Sequence, residues 1–531
     1  MAAVQDYKPG DIPLEEQDDR RLFCKYHYKG VLLLFLPILL APILIGTPVL
    51  ICRFIYLTLC LYLIYILNLM AKGAAAFIYM VFIPVAGIAS SKQVSVSYYT
   101  DLIFFVYAAI FMGIMMDSSR LSERFAFMVI SIVGGSLKSL QLFLTVVVFI
   151  LAALVNPTIS AAFWMKVSQA VLAEYENAGL IKLNTEEKPY EVGSKPYPTR
   201  PVIGIFLTCC YTASLASSVS PMVNPNGVIS DSYSGSLTVT EIALVMAGPA
   251  LLTLVLMVFW LQLLFLGLLG GRVKRDLAEF DGARGGFKQT AADRKQALGP
   301  WTIYPILGIL LILVLFLLVA TRKPHIFEGW DSLNHKTDSG LSVPGIGIAI
   351  LFFAIPANYL FCRYYVCRQP EKEGTANSLL GWKAVNNNTP WAEIFMLGAA
   401  FSCTYCAKAC GFNDYMVDLL TSDDASGKEL NMMNFICGAV FGTAMTTLSP
   451  ATTLSKVALP TIIKGGTSFS LPFATALHNQ FLLPVSSPGN TIVAGWGNIR
   501  PYQFLLAGSV LALFMFLTIA GFTALFSNTV L

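Results

Sequence analysis

Charge is what this chain has least of. Acidic and basic side chains make up 12% of its 531 residues, against roughly a quarter in a soluble domain. The 35 lysines and arginines exceed the 31 aspartates and glutamates by only four, too slight an excess to mark a nucleic-acid surface. The four histidines, His27, His325, His335 and His478, do not cluster. Asp101 and Asp117 lie near the two ends of one apolar stretch, and no paired carboxylate, Ser/His set or Cys/His set accompanies them. An enzyme working at membrane depth would need such a constellation, so the chain reads as no enzyme. Cys403, Cys406 and Cys410 share one helical face but have no histidine beside them. They read as small apolar residues, not metal ligands, and no cofactor or structural metal is expected.

Apolar sequence is what the chain has in excess. It is 56% hydrophobic with mean hydropathy +0.67, and its apolar runs repeatedly reach the ~20 residues that cross a bilayer as helix. The expected fold is an all-α polytopic membrane protein. Candidate spans are 31–50, 53–70, 73–91, 102–117, 124–136, 201–223, 238–270, 301–320, 343–365, 391–410 and 503–526. Three further runs are interrupted: 140–171 at Asn156-Pro157, 431–463 at Ser449-Pro450, and 469–495 at Ser487-Pro488-Gly489. Pro removes a backbone donor and clashes with the preceding turn, so the first two are expected as re-entrant hairpins, at about 137–171 and 431–465, leaving about 11 crossings.

The first 30 residues are polar, with no compact apolar run before a cleavage site, and read as a cytoplasmic tail. Arg20, Arg21, Lys25 and Lys29 precede the first span, and the loop 271–299 is strongly basic. The positive-inside rule places both in the cytoplasm. Loops 321–342 and 414–430, more balanced or acidic, are expected outside. The chain thus divides into a first membrane repeat, 31–270, and a second, 300–531.

The interruptions come in matched order. Asn156-Pro157-Thr158 is followed by Val223-Asn224-Pro225-Asn226-Gly227; Ser449-Pro450-Ala451-Thr452-Thr453 is followed by Ser486-Ser487-Pro488-Gly489-Asn490. Asn156 and Asn226 are 70 residues apart, Ser449 and Asn490 41 apart, and a polar insert of about 30 residues at 172–201 accounts for the difference. Freed backbone groups cannot be satisfied by hydrocarbon, and matching interruptions in two halves point to a transporter binding site. A hairpin tip exposes the amide end of one half-helix, suited to a carboxylate. It also exposes loosened carbonyls which, with Ser, Thr and Asn oxygens, suit a hard monovalent cation such as sodium. Ser214, Ser217 and Ser218 add hydroxyls just before Asn226.

The stretch Phe481-Leu482-Leu483-Pro484-Val485-Ser486-Ser487-Pro488-Gly489-Asn490-Thr491-Ile492-Val493 resembles the late signature of the divalent anion/sodium symporter family, the sodium–dicarboxylate, citrate and sulfate carriers. Tyr211-Thr212-Ala213-Ser214 leading to Asn226, and Pro390-Trp391 opening the segment to Phe401, are similar to other parts of that family. The resemblance runs from about residue 30 to the end. It implies inverted repeats, a homodimer in the lipid bilayer (the plasma membrane), and an elevator-type motion carrying the site across. It also implies a Ser-Asn-Thr motif at each tip holding the substrate carboxylates and sodium. This chain departs from that motif: the first tip, Val155-Asn156-Pro157, keeps only the Asn, and the second, Leu448-Ser449-Pro450, has none.

The expected function is secondary transport of a small di- or tricarboxylate of the succinate/citrate class. Asn156, Thr158, Ser160, Ser449, Thr452, Thr453 and Ser487 are the candidate substrate contacts. Asn156, Ser214, Ser217, Ser218, Asn226, Ser449, Ser486 and Asn490 are the candidate ion ligands. An intramembrane lysine costs about 2.5–3.5 kcal/mol on insertion scales. Lys456, one and a half turns past the second tip, is therefore the candidate for compensating the anion's charge, and Lys166 is a weaker one. A sulfate carrier, or a transport-dead homologue acting as sensor or assembly partner, are the alternatives.

Overall fold

The computed structural model is all-helical and describes residues 19–185, 196–233, 238–267, 287–324, 327–333, 339–357, 368, 377–421 and 432–530. Most of the expected tail, most of the basic loop 271–299, part of the insert 172–201, and Cys362, Cys367, His325 and His335 lie outside the described residues. Among the described residues the only β pairings are two isolated bridges, Asn184 with Pro198 and Pro356 with Ser378.

The chain opens with α1 (Asp19–Leu40), α2 (Val49–Ile66), α3 (Lys72–Ala76), α4 (Ile78–Val85) and α5 (Ser91–Tyr98). Next come α6 (Asp101–Ser118), α7 (Leu121–Val133), α8 (Leu137–Leu154), α9 (Pro157–Asn177), α10 (Arg200–Val219), α11 (Asn226–Ser232) and α12 (Val239–Leu264). After the basic segment follow α13 (Phe287–Ala297), α14 (Ile303–Ala320), α15 (Ser342–Ala354) and α16 (Trp382–Asn388). Then α17 (Trp391–Ala409), α18 (Phe412–Leu420), α19 (Met432–Leu448), α20 (Ala451–Val457) and α21 (Leu459–Ile462) lead to α22 (Thr467–Ala476), α23 (Pro488–Gly497) and α24 (Pro501–Val530).

Eight of the described helices are long and apolar enough to cross a bilayer, or up to ten if each of two sharply bent pairs is one span. That is fewer than the eleven expected. The run 73–91 splits at Phe77 into α3 and α4, while α7 and α15 stop at 13 residues, about 20 Å at 1.5 Å per residue. Such helices fall short of the ~30 Å hydrocarbon core, and they bury one side while leaving apolar residues such as Val81, Val85, Ile132 and Ile350 exposed.

Helix α8 shows how the sequence distinguishes lipid from protein. Leu140, Leu144, Val148 and Ala152 are fully buried, whereas Leu142, Val146, Ile150 and Leu154 are exposed. Two stripes at spacing four, both apolar, mark opposite sides of one helix. By contrast α10 is almost wholly buried, and its Thr208, Ala213, Ser214, Ala216, Ser217 and Ser218 are small enough to admit neighbours closely. The interior forms two hydrophobic clusters, and α17 joins them: Ile394, Leu397 and Phe401 belong to one, Met396, Ala399, Ala400, Cys403 and Cys406 to the other.

Candidate functional site: four proline-opened helices around one cavity

Each interrupted run turns the chain. At the first, α9 folds back on α8: Ser160 Oγ donates to Val148 O at 3.1 Å and the Phe143 and Trp164 rings meet edge-on. Asn156 caps α9, its Oδ1 accepting from Thr158 N at 2.9 Å. At the second, the axes of α19 and α20 differ by 120°. Thr404 Oγ1 donates to Ser449 Oγ at 2.5 Å, and the Tyr62 hydroxyl donates to Leu448 O, so α17 and α2 hold that tip from behind.

The other two breaks use an asparagine as a clasp. Asn226 Nδ2 donates to the carbonyls of Ser217, Ser218 and Ser220 at 3.3, 3.0 and 2.9 Å, gathering the end of α10. Ser220 Oγ in turn donates to Ala153 O at 2.5 Å, tying this loop to the first tip. Asn490 Nδ2 donates to Gln480 O at 2.8 Å and to Ser486 Oγ at 3.3 Å. Tyr211 on α10 reaches across to donate to Phe481 O at 3.0 Å, joining the third and fourth breaks.

The four breaks meet at a cavity of about 30 Å³. Pro157, Pro225, Pro450 and Pro488 all line it, each preceded by Asn or Ser (Asn156, Asn224, Ser449, Ser487); Pro157 and Pro488 are the first residues of α9 and α23, and Pro225 and Pro450 immediately precede α11 and α20. Proline suits that position because its missing amide hydrogen is one no helix N-terminus could pair. Thr158, Ser217, Thr452 and Gln480 supply polar groups to the wall, and Leu102, Phe105 and Leu341 supply apolar ones. Among the described residues, no charged one lines it. The volume admits about two water molecules.

The expected site residues divide by what their polar atoms do. Asn156, Thr158, Ser217, Thr452 and Ser487 line the cavity. Ser449 is buried beside it and is held by Thr404. Ser214 Oγ, Asn226 Oδ1, Asn490 Oδ1 and Thr452 Oγ1 are buried and have no hydrogen-bond partner among the described residues, which buried polar atoms seldom tolerate. Ser160, Ser218 and Ser486 spend their hydroxyls on Val148, Leu215 and Leu483 carbonyls, and Ser160 and Thr453 line no part of the cavity. Lys456 is exposed and lies on the wall of a second cavity of about 80 Å³, together with Asn156, Asn224, Arg322 and Lys323. It is not among the residues lining the cavity between the tips. Asn224, Gln480 and Thr404 were missed from sequence. Asn224 stands in the quoted Asn-Pro step, but nothing local marks Gln480 or Thr404.

The other buried charges are accounted for within the fold. Lys166 on α9 pairs with Asp117 at the end of α6 at 2.7 Å and lies 4.1 Å from the centroid of the Trp496 ring. Glu393 on α17 is paired with Lys72 and accepts from the Tyr65 hydroxyl at 3.0 Å. Asp101, which is exposed, caps α15, accepting from Leu341 N and Ser342 N at 3.0 and 3.3 Å. His478 is fully buried, and neither ring nitrogen has a hydrogen-bond partner among the described residues.

Comparison with known proteins adds a lineage to this geometry. The family described as "Sodium:sulfate symporter transmembrane region" matches residues 24–531. The chain is 27% identical to the Protein I'm not dead yet of Drosophila melanogaster, over 95% of this chain and 91% of that one. It is 24% identical to Solute carrier family 13 member 2 of Homo sapiens, over 93% and 92%, and 22% identical to the Na(+)/citrate cotransporter of Rattus norvegicus, over 91% of each. A family match across nearly the whole length, on an all-helical chain with apolar spans, makes this an integral membrane protein and a transporter, not an enzyme: it belongs to the sodium:sulfate symporter family.

Proposed function

We propose that the protein is a secondary carrier for small organic di- and tricarboxylates, coupled to sodium and working by an elevator-type motion. The observation that carries the reading is the convergence of four helix N-termini, each marked by a proline, on one cavity with no charged residue among the described ones lining it. Each N-terminus presents unpaired amides and a partial positive charge. The longer α9 and α23 contribute most, since α11 and α20 have only seven residues each. Amides and hydroxyls recognise carboxylate oxygens, but neutral groups do not compensate a dianion taken out of water. The missing charge comes from bound cations.

Ser214 Oγ and Asn226 Oδ1 behind one tip, and Asn490 Oδ1 behind the other, are the free oxygens that hold them. In each asparagine the amide nitrogen is committed to the loop, which turns the carbonyl oxygen away from it, ready for a cation. Lys456 contributes positive charge from the neighbouring cavity. The relatives' names agree with this chemistry: one is a Na(+)/citrate cotransporter, and a Caenorhabditis elegans relative, 21% identical, is a sodium-dependent dicarboxylate transporter.

Support for an elevator comes from where the cavity lies. It touches Leu102 and Phe105 in the first turns of α6, whereas Asp117 at the other end is twelve residues, about 18 Å, further on. A site so close to one end serves both faces only if the tips travel. The two repeats, 31–270 and 300–531, each supply one tip and one asparagine-clasped break to this travelling unit. The test is uptake of labelled succinate, citrate and sulfate into proteoliposomes, with and without sodium. Sodium-dependent uptake of succinate or citrate is expected. Uptake of sulfate alone would replace the substrate, and uptake of none would end the carrier reading.

A further inference from the structure

The second cavity has chemistry of its own. It holds about 80 Å³, more than twice the first, and shares Asn156, Asn224 and Leu341 with it. Those three residues form the partition between the two spaces. Unlike its neighbour, this cavity is charged: Arg322, Lys323, Lys456 and Asp231 line it.

The four charges are not equivalent. Arg322 is nearly buried and engaged within its own loop, donating to Ser339 O and lying 3.8 Å from Asp331; its charge is answered where it stands. Lys323 pairs with Asp231 at 2.9 Å, with both side chains about half exposed. Lys456 is exposed and makes no ion pair among the described residues. The wall thus carries one uncommitted cation and one cation in a solvated pair, a kind of pair that contributes little stability and opens readily.

From this arrangement we infer a docking site for small carboxylate dianions, outside the site between the tips and feeding it; the inference rests on the carrier reading. One carboxylate of the arriving anion takes Lys456. The other competes with Asp231 for Lys323, which swings from its internal partner to the ligand. Asn156 and Asn224, already on the partition, receive the anion as it passes Leu341. Asp231 has a definite part in this: it holds Lys323 when no anion is present and repels an anion that has not displaced it. The site acts as an electrostatic funnel, raising the local concentration of dianion at the partition.

This assignment makes predictions of opposite sign for two residues that touch each other. In proteoliposome uptake of succinate, Lys323→Gln and Lys456→Gln each raise KM about three- to tenfold, while Asp231→Asn lowers KM by about threefold; one unit charge acts on a dianion through partly screened solvent. Lys323→Arg keeps the wild-type KM. In Lys323→Gln and Asp231→Asn the maximal rate at saturating succinate changes less than twofold, and raising ionic strength erodes the difference between wild type and Lys323→Gln. If Asp231→Asn and Lys323→Gln shift KM in the same direction, the pair is structural and the docking site is overturned. The same holds if neither moves KM. Those results would leave wild-type transport, and so the carrier reading, standing. A wild type that transports no dicarboxylate would overturn both.

Discussion

The ion pair between Lys166 and Asp117 is asymmetric, and the asymmetry can be measured. Lys166 Nζ is 2.7 Å from Asp117 Oδ2, yet the lysine side chain is 7% exposed and the aspartate 45%. Removing one partner of a buried pair costs roughly 3–5 kcal/mol because the other charge is stranded. Here only the lysine can be stranded. In Asp117→Asn the side chain keeps its shape, and its oxygen can still accept from Ser122 Oγ, now at 2.7 Å. Lys166 loses its counter-charge and retains the face of Trp496, 4.1 Å away, a contact worth about 0.5–2 kcal/mol. The net loss expected is about 2 kcal/mol. In Lys166→Met the unbranched stem beside Gly113 and Trp496 is replaced by one of similar length, and Asp117 turns to solvent, for less than about 1 kcal/mol. The double variant should resemble Lys166→Met, well short of the sum, because the two sites are coupled. Thermal unfolding of purified protein in one detergent, followed by intrinsic fluorescence, orders the four proteins. If Lys166→Met melts at or below Asp117→Asn, the lysine is not the stranded partner and the reasoning fails.

Three further outcomes follow from the geometry. Asn226→Ala and Asn490→Ala remove both a clasp and a free oxygen, so the sodium concentration for half-maximal uptake should rise about tenfold or more; an unchanged sodium titration in both would discard them as ion ligands. Gly438→Ala would set a methyl 2.2 Å from Phe469 O, where α19 and α22 lie against each other, and overpacking of that kind costs about 1–3 kcal/mol, visible as a lower melting temperature. Thr404→Val leaves Ser449 without its donor at the second tip, a loss of about 1 kcal/mol; succinate KM should rise severalfold while the Thr404→Ser variant stays near wild type.

The legibility of this chain was uneven, for identifiable reasons. The helices around the site were legible because an apolar run of bilayer length, or its interruption by Asn-Pro or Ser-Pro, is a local property. The expected span 102–117 is found as α6, Asp101–Ser118, and 391–410 as α17, Trp391–Ala409. The spans that failed, 73–91 and 124–136, fold as a split helix and a 13-residue helix with both buried and exposed apolar residues, and composition does not show where a helix stops short. Among site residues, Asn156, Thr452 and Ser487 were chosen for their place in an interruption, and the cavity lies there. Ser160 and Ser218 sat equally close in sequence, but Ser160 donates to Val148 O of the facing α8 and Ser218 to Leu215 O of its own helix, a choice made by rotamer and packing. Lys456 was placed at the tip by spacing; the turn of α20 puts it on the next cavity instead.

By itself the sequence determined the solvent this protein lives in, the helical class that bilayer imposes, the four places where helix must stop, and the kin to which those motifs belong. Each depends on a few neighbouring residues. Only the tertiary structure decided that the four stops converge, that among the described residues no charge lines their meeting point and which oxygens are left without partners, and that Asp231 of one half faces Lys323 of the other. Those depend on residues tens to hundreds of positions apart, brought together by packing that no local pattern encodes.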